Sequence, residues 1–360
     1  MSTVKATNFQ HASATNPAIV LAADGSATAN VSSINNGPLA GMRNAIINGN
    51  FDIWQRGTSQ TTAGHGSVDR WRLNAVSTIN FSQQAFTFGQ TSVPGNPNYF
   101  ARYQVTAAPV STNNNLQQRL EGVSTFAGEQ VTVSFWAKAD AAKTIWVGHF
   151  QQFGTGGSPS AISNTSGQVF TLSTSWARYS LTTTLPSVSG KTLGSNGDDY
   201  LSVHFIISNA SAGEAWSAIP AQTITFDIAQ VQLEPGPVAT PFERRPIGTE
   251  LALCQRYYYQ PPDAINRVMF KHNQMGLLGR DLIGPTHFFP VMMRGIPTIT
   301  FTDNVGNALR WTVGSANNVS PAAGSVFRNN VRLRCDLSFG SIGQDGLTAE
   351  ARNLTVSAEL

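Results

Sequence analysis

Between residues 70 and 233 the chain is a succession of short runs with strand character, and no stretch of ten or more residues carries a helical stripe. The runs are Arg70–Leu73, Thr78–Phe88, Tyr99–Val105, Leu116–Leu120, Gln130–Ala137, Thr144–Phe150, Gln168–Leu172, Arg178–Leu185, Tyr200–Ile207 and Gln222–Leu233. Clusters of Gly, Pro, Asn and Ser separate most of them. Alternation puts Val131, Val133 and Phe135 on one face, with Thr132, Ser134 and Trp136 on the other. A chain patterned this way is all-β, and its strand spacing suits two sheets packed face to face.

Three segments are expected. Residues 1–43 hold little hydrophobic mass; Pro17–Leu21 and Ala27–Val31 flank a turn signal at Asp24-Gly25, so a hairpin is expected in a tether that docks onto a partner. Residues 44–246 form the sandwich. It opens with the stretch Asn44–Trp71, in which Ala45-Ile-Ile47 starts a strand, Asn48-Gly49-Asn50 turns, and Phe51 and Ile53 face away from Asp52 and Trp54. Residues 247–360 form a smaller β-domain. It begins with a short helix capped at Thr249-Glu250, and strands follow over Arg267–Phe270, Thr286–Met293, Thr298–Thr302, Leu309–Val313, Val331–Leu337 and Leu354–Leu360.

Charged residues are only 12% of this 360-residue chain, while small polar residues are plentiful, a balance of extracellular or virion β-proteins. A net charge of +3 with no Lys/Arg run leaves no nucleic-acid footprint. No apolar run is long enough to span a membrane, and the amino terminus lacks the apolar core of a signal peptide. Two cysteines, Cys254 and Cys335, are either thiols or one bridge, and they exclude a disulfide framework.

Ile46-Ile-Asn-Gly-Asn-Phe-Asp52, Val131-Thr-Val-Ser-Phe-Trp-Ala-Lys138, Leu172–Tyr179 and Phe226-Asp-Ile-Ala-Gln-Val-Gln-Leu233 resemble, in order, strands of family 4/9-type carbohydrate-binding modules. The fuller patterns are Asn48-Gly-Asn-Phe-Asp-Ile-Trp-Gln-Arg-Gly57 with Asp69-Arg-Trp71, and Val231-Gln-Leu-Glu-Pro-Gly236 with Pro241-Phe-Glu243. These are similar to a domain of bacteriophage tail-fibre and prophage tail proteins. The resemblance implies a jelly-roll sandwich on a virion, made in the host cytoplasm, most often as a homotrimer. It also implies docking of residues 1–43 on a tail, baseplate or adaptor protein, and contact with host-surface glycan. Modules of this type often hold a structural calcium, and the matching acids are Asp52 and Asp227. Ile228 stands where the family often has a further acid. No other cofactor is implied.

Sugar rings are held on aromatic faces. Of seven tryptophans, Trp54, Trp71 and Trp176 lie inside the framework motifs and are expected in the core. Trp136 and Trp146 are candidate platforms on a sheet face, and Trp216 is a candidate from a loop. Gln151, Gln152 and His149 are polar neighbours. Tyr257–Tyr259 are expected to anchor the helix. Polysaccharide hydrolysis would need two carboxylates across one bond, and no spacing among Glu121, Glu129, Glu214, Glu234 and Glu243 selects a pair. No G-x-S-x-G or H-E-x-x-H occurs, and no β-helical repeat is present. The expected function is therefore that of a non-enzymatic tail fibre that adheres to host glycan. A purely architectural fibre is the first alternative and a polysaccharide-degrading tail enzyme the second.

Overall fold

The computed structural model describes residues 41–164, 167–261 and 281–302 continuously, together with residues 348–360 and shorter pieces of the two ends. At the amino-terminal end, strands β1 (Asn8–Phe9), β2 (Ile19–Leu21) and β3 (Ala27–Ala29) form an antiparallel sheet. The pairs Ile19 with Ala29 and Leu21 with Ala27 make the expected hairpin; the turn at Asp24-Gly25 lies outside the described residues.

The chain divides into two compact units. The first contains residues 1–52, 59–66 and 71–245; the second contains 53–58, 67–70 and 246–360. The first unit is the sandwich. Its strands are β4 (Ser59–Gln60), β5 (Trp71–Asn74), β6 (Ile79–Ala85), β7 (Tyr99–Val105), β8 (Asn113–Glu121) and β9 (Gln130–Ala139). They continue with β10 (Lys143–Gln152), β11 (Ser163–Asn164), β12 (Gln168–Leu172), β13 (Ala177–Thr184), β14 (Tyr200–Asn209) and β15 (Ile224–Pro235). One sheet has the order β11-β10-β14-β8-β5, with β12 also on β10; the other runs β13-β9-β15-β7-β6-β4. Every pairing is antiparallel.

Phe205 of β14 is the hub between the sheets. Its ring lies 5.1 Å from Phe135 of β9, 6.4 Å from Phe226 of β15 and 6.3 Å from Trp71 of β5. All four are fully buried, so the period-two alternation of each strand has one face spent on this seam. Phe51 stacks on Trp71 at 5.1 Å and extends it.

Asn44–Asp52 forms no regular strand, in contrast to the expectation. Two left-handed residues, Asn48 (φ 56°) and Phe51 (φ 57°), break it. The stretch nonetheless lies along the end of β15: Ala45 N donates to Leu233 O at 2.8 Å, and Val231 N donates to Gly49 O at 2.9 Å. Asn44 closes the gap by accepting from Leu233 N at 3.1 Å through its side-chain oxygen. The opening and closing segments of the sandwich are thus side by side.

His149 is fully buried on the core-facing side of β10, in register with Val203. Burial pushes its imidazole down from 6.5 to about 4, and burial also lowers His204. A histidine depressed in this way stabilises the fold above its unfolded pKa, and that stability is lost as pH falls through the folded value. Denaturation midpoints of the full chain are therefore expected to fall between pH 6.5 and pH 4. His149→Gln should flatten the slope, by up to about 3 kcal/mol over that interval; an unchanged slope would contradict the assignment.

In the second unit, helix α1 (Ile247–Gln255) starts after Pro246 and has no side-chain cap. Thr249 lies inside the helix rather than at its cap, because Glu250 N already donates to Pro246 O. Tyr258–Tyr259 pairs with Thr348–Ser357, which Arg267–Lys271, Thr298–Thr302 and Trp311–Val313 also join. A four-stranded sheet orders Gly276–Leu278, Asp281–Phe288, Asn330–Asp336 and Pro321–Val326. The Arg56 guanidinium covers the Tyr258 ring at 3.6 Å and pairs with Glu359 at 2.8 Å; Arg70 covers Tyr257 at 3.3 Å. Burial raises Asp69 to about 6 despite Arg56 at 3.3 Å. Cys254 is a buried free thiol.

Candidate functional site

On the outer face of the sheet β13-β9-β15-β7-β6-β4, a cleft of about 470 Å³ opens over Trp136. Strand β9 turns Val133, Phe135 and Ala137 into the core and leaves Trp136 half-buried on the outside, in register with Arg178 of β13 and Ala229 of β15. A bulge then interrupts β15: Gln230 adopts φ 49° and sends its Nε2 to Pro94 O at 2.7 Å. That bond holds the 94–97 loop as one wall. A second wall is Pro241, Phe242 and Arg244, and Asn50 of the opening stretch also lines the cleft.

The second wall explains the Val231–Gly236 and Pro241–Glu243 motifs. Glu234 is completely buried, although alternation alone would put it on the surface. Its carboxylate accepts from Thr240 N at 2.9 Å, Thr240 Oγ1 at 2.7 Å and Gln232 Nε2 at 2.8 Å, and it pairs with Arg43 at 3.3 Å. Glu243 accepts from the backbone N–H groups of Met42 and Asn44, the latter at 2.8 Å. Both acids fold the 235–245 segment back over β15 and tie it to the opening stretch. Their role is to shape the wall.

Asn50 is 7% exposed, and its Nδ2 donates to Asp52 Oδ2 at 2.8 Å. Asn50 Oδ1 and Asp52 Oδ1 are buried acceptors without a hydrogen-bond donor. Burial raises the Asp52 pKa, partly offset by Asn50 and Arg244. A ligand hydroxyl reaching Asn50 Oδ1 would satisfy a group that is otherwise costly to bury.

Asp52 and Asp227 are not sheet neighbours. The opening stretch lies beside the 231–233 end of β15, whereas Asp227 is flanked by Arg102 of β7 and Lys138 of β9. Arg102 donates to both Asp227 oxygens, at 2.7 and 2.9 Å, and Lys138 Nζ stands 3.6 Å away. Two cations already hold that carboxylate, so the expected calcium set does not fit these residues. Among the described residues no group of three or more His, Cys, Asp or Glu side chains could hold a metal.

Trp146 and Trp216 lie on the other sheet. Trp146 faces outward from β10 but is 1% exposed, because its ring lies flat over its own strand. A Cβ on Gly148 would meet that ring at 2.2 Å, and one on Gly167 would meet it at 2.0 Å. Trp216, 8% exposed, caps it at 5.5 Å between ring centroids, and Phe150, Ile206 and Ile219 complete the cluster. Neither presents a face to a sugar. Nearby, Asn115, Gln117 and Arg119 bond to one another along β8. Gln151 is buried, and Gln152 is half-buried at the strand end. Of the tryptophans expected in the core, Trp71 is there. Trp54 is half-buried, and Trp176 packs on the outer face of the second sheet, 5.3 Å from both Phe86 and Phe100.

No protein-family model matches the chain, and no curated protein matches it in sequence. Several solved structures are similar in fold. A family 4 carbohydrate-binding module is 17% identical, covering 52% of this chain and 98% of its own, with a TM-score of 0.31. The amino-terminal cellulose-binding domain of a Cellulomonas fimi β-1,4-glucanase is 13% identical, covering 51% and 97%, with a TM-score of 0.30. The enzymatically active domain of bacteriophage CBA120 tailspike protein 4 is 12% identical; the match covers 57% of this chain but 24% of that domain's chain, with a TM-score of 0.33. Likenesses this distant leave function to the residues of the cleft itself.

Proposed function

We propose that the chain is a non-enzymatic adhesion protein whose sandwich binds glycan in the Trp136 cleft. The observation that carries this is the pairing of a half-buried indole with Asn50, whose buried Oδ1 lacks a hydrogen-bond donor, in the lining of one cleft with room for more than one sugar ring. An indole face covers the apolar face of a pyranose, while the amide oxygen takes a hydroxyl. The motif likeness to tail-fibre proteins supports a place on a phage tail. Residues 1–43 would then dock on a tail, baseplate or adaptor protein, and the chain would act as a homotrimer. Three copies would raise the avidity of a weak single site.

Adsorption of the full chain to host cells, host lipopolysaccharide and capsule is the test. Binding is expected, and Trp136→Ala should weaken it by about tenfold or more, about 1.4 kcal/mol. Adsorption without any effect of Trp136→Ala would move the site elsewhere. No adsorption would leave the chain architectural, and release of reducing sugar ends would make it an enzyme.

A further inference from the structure

We propose that the glycan taken by this cleft is acidic, with a carboxylate or another anionic group seated on Arg178 and Arg244. This rests on the cleft being the glycan site.

The outer face of this sheet carries cations of two kinds. Arg102 and Lys138 share one carboxylate, Asp227, at 2.7 and 3.6 Å. Arg178 and Arg244 line the cleft, and neither has a carboxylate within ion-pair distance among the described residues. Arg178 is held in place by two carbonyls and a hydroxyl: Nη1 donates to Ala239 O at 3.3 Å, and Nη2 donates to Ser134 Oγ at 3.1 Å and to Thr240 O. These bonds use three of its five N–H donors, so the guanidinium is oriented and still has donors to give. Arg244 makes one such bond, from Nη1 to Gly95 O at 3.3 Å.

A guanidinium anchored by carbonyls and a hydroxyl, as Arg178 is, presents an oriented fork suited to bidentate recognition of an anionic group, and Arg244 adds a second, exposed cation. Two of them border one cleft with a stacking ring, Trp136, and a hydroxyl acceptor, Asn50 Oδ1. A neutral sugar would use the ring and the amide but bring no anion within ion-pair distance of either arginine. The set is matched by a pyranose with an apolar face, a free hydroxyl and an anionic substituent. A uronic acid has all three, and a sugar phosphate shares the charge.

The test is titration of the full chain with three oligosaccharides of equal length: an oligogalacturonate, a phosphorylated mannan fragment and a neutral cello-oligosaccharide. Each is measured at low and at physiological salt. At least one acidic oligomer is expected to bind tenfold or more tightly than the neutral one, and to weaken as salt rises. Arg178→Gln and Arg244→Gln should each shrink the acidic-over-neutral ratio by about fivefold. Arg244→Gln keeps the test valid if Arg178→Gln unfolds, because Arg244 is exposed and makes a single bond. Preference for the phosphorylated fragment supports the charge and fixes its source. Equal binding of neutral and acidic oligomers, with Trp136→Ala still weakening both, would overturn the acidic ligand and leave the cleft standing. Absence of binding in every arm would overturn both.

Discussion

Gly49→Ala is expected to unfold the sandwich at markedly lower temperature, with a cost of about 3 kcal/mol or more. A Cβ at Gly49 would stand 2.1 Å from Val231 O and 3.2 Å from Ile46 Cγ2. The first is backbone of β15, inside a sheet, and it cannot turn aside as a side chain could. Relief requires the opening stretch to move off β15. That would break Val231 N to Gly49 O and Ala45 N to Leu233 O, and it would strain the Asn48 turn. Asn48 supports three groups at once: its Oδ1 accepts from Asp52 N at 2.9 Å, and its carbonyl accepts from Phe51 N and Trp71 Nε1, both at 3.1 Å. The Asn-Gly pair is therefore needed as a close contact with the last strand, beyond its value as a turn. A thermal melt followed by tryptophan fluorescence checks this, since Trp71 reports on the same place. A melting temperature equal to wild type would sink it.

Glu234→Ala is expected to cost about 2–3 kcal/mol, the range for leaving buried hydrogen-bond donors without their acceptor. The variant strands the N–H and hydroxyl of Thr240, which is 1% exposed, and leaves Arg43 without its carboxylate. Chemical denaturation should show a lower midpoint at constant slope. Because Glu234 shapes the wall that carries Phe242 and Arg244, glycan binding should fall even at temperatures where the variant is folded. A loss below about 1 kcal/mol would mean that the carboxylate does not clamp the 235–245 segment.

Much of the fold was legible in the sequence. Tyr99–Val105 and Gln168–Leu172 are strands residue for residue, and the inward alternation of Val133 and Phe135 is the core seam. Less was legible where burial depends on a residue far away in the chain. Trp146 alternates outward like Trp136, and it is buried by the room left at Gly148 and Gly167 and by the Trp216 cluster. Asp227 looks like a ligand until the register places Arg102 and Lys138 on either side. Glu234 reads as a surface acid because the segment that covers it follows a Pro-Gly-Pro break. The cleft itself is lined from six separated places in the chain, at Asn50, Pro94–Pro97, Trp136, Arg178, Gln230 and Pro241–Arg244. No local pattern announces such a site. Its best sequence signal was Trp136 on the polar face of an otherwise small-residue strand.

One face of one sheet is proposed to hold the sugar, and a crystal structure of the full chain soaked with an acidic oligosaccharide tests this most directly. The expected result is a pyranose ring stacked on Trp136, between the 94–97 loop and Phe242, with its anionic group within hydrogen-bond distance of Arg178 or Arg244. A sugar bound instead on the opposite sheet, beside Arg119 and Tyr200, or an empty cleft at saturating ligand, would contradict it.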